Sequence, residues 1–195
     1  MVEQGLLVVF SGPSGVGKTT IVHRVREYFD AAFSVSATTR PMSTKEVNGQ
    51  DYFFITEDEF AEKISNNAFL EHAEVFGCHR YGTLREQVDE VLSKGKIILL
   101  DIDVQGGIQI KENMPESLRI FILPPSEEEL YRRLEERGRE DHDSIQRRFK
   151  EAKQEINLSQ ESGAYQYFIT NDDLELTVAK TIEIVQEYRN AAATS

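Results

Sequence analysis

The sequence contains no tryptophan and one cysteine, Cys78, in 195 residues. A lone cysteine excludes an internal disulfide framework and fits a reducing compartment, so the expected location is the cytoplasm. No apolar run approaches the ~20 residues that cross a bilayer. The acidic start, MVEQG, leads straight into a strand without a secretory leader. No membrane partner is expected. Basic residues are in the minority: 22 Lys and Arg against 34 Asp and Glu leave a net charge of −12. Non-specific nucleic-acid binding needs a basic field, so nucleic acid is not expected as a partner. Four histidines, His23, His72, His79 and His142, lack zinc-like spacing and read as surface residues. Repeats and low-complexity tracts are absent. What remains is an ordinary globular composition, 39% hydrophobic and 29% charged, in a length that suits one compact domain with lobes.

Within that chain, residues 12–19 read GPSGVGKT and fit G-x-x-x-x-G-K-[ST]. Glycines at 12, 15 and 17 allow a tight wind that aims successive N–H groups inward, a nest for phosphate oxygens. A helix start adds its partial positive charge. Gly12, Pro13, Ser14, Gly15, Val16, Gly17, Lys18 and Thr19 are thus candidates to hold the phosphates of a nucleoside triphosphate, which the resemblance given below makes ATP. Lys18 reaches the β and γ phosphates, and the Thr19 hydroxyl suits Mg²⁺. The context is right: an apolar run at 6–10 precedes the loop, and helical spacing over 20–29 follows it.

Strand-like and helical runs alternate thereafter, which signals an α/β fold with a mostly parallel sheet. Strands are expected over 33–36, 51–55, 70–75, 96–101, 119–123 and 167–170. Residues 77–82 read as a loop. The 96–101 run, KIILLD, is the most apolar and is expected at the centre. Helices are expected from Thr56, where Glu59 completes a capping box with Phe60 and Ile64 facing inward, and over 84–92, 104–113, about 126–137, 144–159 and 173–190. Ser126 and Glu129 read as a second capping box. The resulting plan is a P-loop core at 1–32 and 96–195, a mixed β/α insert at 33–95, and a helical lid at about 132–150.

Four clusters bear on chemistry. Asp101 and Asp103 end the apolar strand, where α/β sheets bind ligands and where a Mg²⁺-organising aspartate lies beside a P-loop; Asp103 can also cap the next helix. Ser36 to Arg40, with Tyr52, suits a second phosphate, because a guanidinium fork matches phosphate geometry; alone, it also reads as a solvated loop. Glu71, with Tyr81, Gly82 and Thr83, offers a carboxylate to two parallel N–H groups, the pattern of guanine N1–H and its amine; an exposed strand glutamate reads equally well. Arginines 132, 133, 137, 139, 147 and 148 either pair with helix glutamates at i,i+4 or close over phosphates from a mobile flap.

Taken together these motifs resemble guanylate kinases over about 5–188: GPSGVGKT at 12–19, SVSATTR at 34–40, GQDYFF at 49–54, FLEHAEVFG at 69–77, YGT at 81–83, LDIDVQG at 100–106, LPPS at 123–126 and NDD at 171–173. The resemblance implies a P-loop core with a five-stranded parallel sheet, an inserted GMP-binding lobe and a helical lid. It implies phosphoryl transfer from ATP to GMP with Mg²⁺, giving ADP and GDP. Ser36, Glu71, Gly82, Thr83 and Asp103 would line the guanine pocket. Arg40, Ser43, Tyr52 and Tyr81 would surround the GMP phosphate. Asp101 would help Thr19 order Mg²⁺, Arg133, Arg137 and Arg148 would act with Lys18 in catalysis, and Asn171 would lie near adenine. A monomer and a homodimer are both compatible with the sequence.

Two departures stand out. The family pattern T-T-R-x-P-R becomes Thr38-Thr39-Arg40-Pro41-Met42-Ser43, which puts serine where a second phosphate arginine is usual. The loop before Tyr81, at 77–80, reads one residue longer than usual. Lys45 or Arg80 is expected to substitute in part, or GMP to bind more weakly. Rival readings are a non-catalytic phosphopeptide-binding module of the same fold and a kinase for another phosphate acceptor. Retention of Lys18, Thr19 and both aspartates favours an enzyme. A GTPase is disfavoured, since no N-K-x-D motif follows.

Overall fold

The computed structural model describes residues 5–75, 78–136 and 142–192. Strands β1 (Leu6–Ser11), β2 (Ala32–Phe33), β7 (Ile97–Asp101), β8 (Leu118–Leu123) and β9 (Tyr167–Thr170) form one sheet in the order β2-β7-β1-β8-β9. Every pairing in it is parallel. A parallel sheet is covered on both faces, so its strands are apolar throughout rather than alternating. In β1 the side-chain period of two splits the run between two layers. Leu6, Val8 and Phe10 face Ile21, Val22 and Val25 of α1 (Lys18–Phe29) and Val178, Ile184 and Val185 of α7 (Leu174–Ala192). Leu7 and Val9 face Val88 of α3 (Arg85–Ser93) and Ile110 of α4 (Val104–Asn113). Burying Phe10 completely contributes about 2–3 kcal/mol. The central strand is therefore β1. The more apolar β7 lies one place out, because β2 still covers its outer edge.

A second, four-stranded sheet runs β4-β3-β6-β5, using β4 (Phe53–Phe54), β3 (Ala37–Thr38), β6 (His79–Leu84) and β5 (Phe69–Val75). Of the strand expected over 33–36 only Phe33 is in a strand, and residues 34–36 cross from the first sheet to the second. Phe33 still pairs with Leu99 of β7, while Ala37 pairs with Gly82 of β6. The Gln87 side chain anchors the crossing by accepting from the Ser34 hydroxyl at 2.8 Å and the Val35 N–H at 2.9 Å. Residues 79–82, expected within a loop, form a strand instead. β6 pairs with β5 on one side and β3 on the other, so neighbours override the weak local preference. Gly82 belongs there because a Cβ would lie 2.8 Å from the Phe69 ring.

Helix α2 (Glu57–Ser65) opens with the expected capping box: the Glu59 N–H donates to the Thr56 hydroxyl and the Glu59 carboxylate accepts the Thr56 N–H. Phe60 is buried, but Ile64 is exposed. The second box is half formed. Ser126 accepts the Glu129 N–H at the start of α5 (Glu127–Glu136), while the Glu129 carboxylate turns to Arg132 and Arg133. Helix α6 (His142–Ser162) packs against α5 through Ile145, Phe149 and Ala152. Side-chain amides of α4 reach β5. Gln109 accepts the His72 N–H and donates to the His72 carbonyl, and Asn113 donates to the Leu70 carbonyl at 2.7 Å.

Candidate active site

The loop 12–17 leaves the carboxyl end of β1 and winds into α1. Gly15 (φ 90°) and Gly17 (φ 93°) sit in the left-handed region, and a Cβ on Gly17 would lie 2.5 Å from the Asn171 amide. Gly17 caps α1 without a side-chain hydrogen bond, and the first turn carries no acidic residue. The helix therefore presents unsatisfied N–H groups and an exposed Thr19 to a cavity of about 290 Å³. Lys18 and Asp101 form an ion pair across its floor, each side chain about one-fifth exposed. The cavity is also lined by Ile102, Asp103 and Glu155. Thr19 and Asp101 supply hard oxygen donors on adjoining elements, a set that fits Mg²⁺.

Asp103 caps α4, with its carboxylate accepting the Gly106 N–H at 2.8 Å. Gly106 has no side chain where the Glu71 carboxylate lies; a Cβ there would be 2.8 Å from Glu71 Oε2. The missing side chain lets the Glu71 carboxylate of the second sheet lie against α4, whose cap Asp103 lines the loop cavity. Glu71 is 5% exposed, and the Thr83 hydroxyl donates to its Oε1 at 2.6 Å. Burial pushes the Glu71 carboxyl up to about 7, the nearby Asp103 charge adds to this, and the Thr83 bond opposes it. The buried reading of Glu71 thus holds over the exposed one. Residues 71, 73, 81 and 83 share one sheet face by the β5–β6 register.

Arg40 lies 5.4 Å from the Tyr52 ring and 5.5 Å from the Phe54 ring, and the Tyr52 and Tyr81 rings meet edge-on at 5.8 Å. Glu46 grips the end of the Arg40 guanidinium at 2.6 and 3.0 Å and also accepts the Ser43 N–H. Arg40 and the Ser43 N–H hold the Glu46 carboxyl down at about 2. Ser43 is exposed and tied to Glu46 through its backbone. Arg80 lies on the opposite sheet face from Tyr81 and pairs with Glu57 of α2 at 3.5 Å. Its geometry is that of a brace for α2. Ser36 uses its carbonyl to accept the Phe53 N–H.

On the lid side, Arg148 of α6 donates to the Ser14 hydroxyl in the loop. Arg133 pairs with Glu129 at 2.7 Å and donates to the Asn171 carbonyl at 3.2 Å. Asn171 is buried, and its amide donates to the Val16 carbonyl at 2.8 Å, bracing the loop from behind. Arg132 makes helix-surface pairs with Glu129 and Glu136 among the described residues, the i,i+3 and i,i+4 pairing expected of a solvated helix arginine. Arg137 lies outside the described residues. A cleft of about 840 Å³ runs beside α6, bounded by Arg147, Arg148 and Glu151 on one wall and by Glu74 and Gln105 on the other.

Sequence reasoning missed three residues. Glu46 lies six residues past Arg40 in a polar loop, where spacing carries no signal. Gly106 reads as an ordinary helix glycine until Glu71 is placed beside it. Glu155 faces the loop cavity from α6, and burial raises its carboxyl to about 7, with Asp103 adding to this and Lys18 opposing it; in the sequence it is one more helix glutamate.

The guanylate kinase family model matches residues 4–188. A guanylate kinase from Clostridium acetobutylicum is 48% identical over 185 residues, covering 95% of this chain and 87% of the relative. One from Escherichia coli (strain K12) is 47% identical, covering 92% of this chain and 87% of the relative. Among solved structures, guanylate kinase from Anaplasma phagocytophilum superimposes with a TM-score of 0.73 at 36% identity, covering 96% of this chain and 87% of that one.

Proposed function

The chain belongs to the guanylate kinase family, and from that premise we propose that it transfers the γ-phosphoryl group of ATP to GMP, giving ADP and GDP in purine nucleotide metabolism. The observation that carries the reading is the buried Glu71–Thr83 pair, set against the Asp103 cap of a cavity that holds Lys18. An ionised Glu71 accepts the guanine N1–H and amine protons. Adenine presents an acceptor at N1 and cannot make that pair. Asp103 and Ser36 complete the guanine side.

The acceptor phosphate is held by Arg40, Tyr52 and Tyr81, while Gly12 to Thr19 hold the donor phosphates. The core at 1–32 and 96–195 carries the donor site. The insert at 33–95 carries the acceptor site, with α3 as its seat on the core sheet. Mg²⁺ arriving with ATP would be held by Thr19 and Asp101, and it supplies neutralisation of charge on the β and γ phosphates. Among the described residues no group of three or more His, Cys, Asp or Glu is arranged to hold a metal ion. Phosphate oxygens would therefore complete the coordination.

The chemistry asks for no protein nucleophile, because the attacking GMP oxygen is already ionised. Positioning and electrostatics lower the barrier. Lys18 leaves Asp101 for the phosphates and neutralises charge that develops between them. Arg148 reaches the same phosphates from α6, as Arg133 does from α5. Closing the cleft between α6 and the acceptor face excludes water, which would otherwise divert the γ-phosphoryl group to hydrolysis.

No helix among the described residues is long and apolar enough to cross a membrane. The single cysteine supports placing the reaction in the cytoplasm. A coupled assay of ADP formation with GMP, AMP, CMP and UMP as acceptors tests the assignment. Turnover confined to GMP is expected; turnover with none of the four would move the reading to a binding module.

A further inference from the structure

Arg40 carries five N–H groups, and three of them are committed to Glu46 and Pro41. One on Nη1 donates to Glu46 Oε2 at 3.0 Å, and one on Nη2 donates to Glu46 Oε1 at 2.6 Å, so the carboxylate closes the end of the fork. The second Nη1 proton donates to the Pro41 carbonyl at 3.0 Å. The two that remain, on Nε and Nη2, are parallel along the side edge of the guanidinium. A planar guanidinium offers bidentate contacts along either edge, so the side edge can grip an anion while the end is occupied. The rings of Tyr52 and Phe54 lie within 5.5 Å of the guanidinium carbon and fix where its plane lies. The guanidinium also donates to the Tyr81 hydroxyl, which places that tyrosine at the rim of the same site. Glu46 is itself held by the Ser43 N–H at 2.8 Å, so the clamp is built into the 43–46 turn.

We propose that Glu46 is a positioning residue for the acceptor phosphate: it closes one end of Arg40 so that the Nε/Nη2 edge is presented to the phosphate beside Tyr52 and Tyr81. The inference rests on the assignment of GMP as acceptor. Its sign is unusual. Glu46 is an anion next to an anion site, and by Coulomb's law alone its removal would strengthen phosphate binding. A removal that weakens phosphate binding and spares guanosine is the mark of an orienting role. The need for orientation is sharpened by Ser43, which brings no charge to the phosphate and whose N–H is committed to Glu46.

The test is titration of GMP and of guanosine, followed by calorimetry, into the wild-type protein, E46Q, R40A and the R40A/E46Q double variant. Steady-state kinetics are measured alongside. E46Q is expected to weaken GMP binding and raise its KM between about tenfold and a hundredfold, with guanosine binding, the ATP KM and kcat little changed. The double variant should bind GMP no more weakly than R40A, because the effect of Glu46 passes through Arg40. Tighter GMP binding by E46Q would overturn the proposal and make Glu46 a competitor for the fork. Equal weakening of GMP and guanosine would overturn it too, by making Glu46 a general support of the loop. Unchanged GMP binding in E46Q would overturn it outright. A wild-type protein that bound no GMP would instead overturn the acceptor assignment, and the proposal would fall with it.

Discussion

The Thr83 hydroxyl donates to Glu71 Oε1 at 2.6 Å inside the second sheet, where Glu71 is 5% exposed. One short bond holds a carboxylate that burial works to neutralise. In the proposed function guanine recognition needs that carboxylate ionised, and burial pushes it up to about 7. GMP affinity should therefore fall as the pH drops below about 7, while ATP affinity should not follow it. Thr83→Val removes the bond that favours the charged form, so the fall should begin at a higher pH. Titrating GMP into wild type and variant between pH 5.5 and 8.5 checks both statements.

The same shift bears on stability with the opposite sense. The Glu71 pKa is raised on folding, so the protonated form suits the folded state better. Its ionisation costs stability as the pH rises from the ordinary carboxylate range through about 7. Glu71→Gln removes that cost, so its Tm should lose less than the wild-type Tm between pH 5 and pH 8. GMP turnover should drop by about a hundredfold or more, since Gln puts a donor where guanine also donates.

Gly106→Ala places a methyl group against Glu71 Oε2. A carboxylate can swing, so the backbone should survive with a small loss of stability. The swing breaks the Thr83 geometry, and GMP KM should rise about tenfold while ATP KM holds. Crystal structures or the KM pair would show it. A variant with both KM values unchanged would contradict the close packing of α4 against Glu71.

Lys18→Met leaves Asp101 without its partner and removes the charge aimed at the phosphates. We expect kcat to fall by roughly a hundred- to a thousandfold. GMP binding measured in the absence of ATP should be unchanged, because none of the proposed acceptor contacts runs through Lys18. Parallel loss of GMP binding would show that the donor loop supports the acceptor fold.

Arg119 lies at the other end of the core sheet and has no catalytic part. It is 6% exposed and donates to the carbonyls of Met114, Pro115, Ser117 and Ala164. Arg119→Met keeps the stem but strands those acceptors. The expected loss is about 2–4 kcal/mol, seen as a lower Tm with KM values for both substrates unmoved.

The sequence made the donor half legible because its chemistry is local. Nest, lysine, hydroxyl and helix start fall within eight residues, and the apolar runs on either side are those of a doubly covered strand. Most element positions followed from the same periodicity. The acceptor half is long-range. Glu71 and Thr83 are twelve residues apart and meet only through the β5–β6 register, and that register includes a strand that read as a loop. Burial decides whether Glu71 is a solvated side chain or a base reader, and no local pattern encodes burial. The substitution at Ser43 was visible, but its consequence was not. Lys45 and Arg80 were the expected substitutes. Arg80 faces α2 instead, since neighbouring strand residues point to opposite faces, and among the described residues Lys45 makes no ion pair. The contact that matters, Glu46 on Arg40, joins two charges whose spacing follows no helix or strand period.

The amides of Gln109 and Asn113 along β5 have a further consequence. An outermost strand with open N–H and C=O groups is a template on which another copy of the chain can extend the sheet. Here His72 and Leu70 offer those groups, and two helix side chains occupy them. The acceptor sheet is closed to recruitment without being fused to its neighbour. Its rim is guarded by residues that travel with α4, so the folded molecule resists strand-by-strand aggregation on that side. Replacing either amide with a smaller side chain would expose a place for another copy to attach.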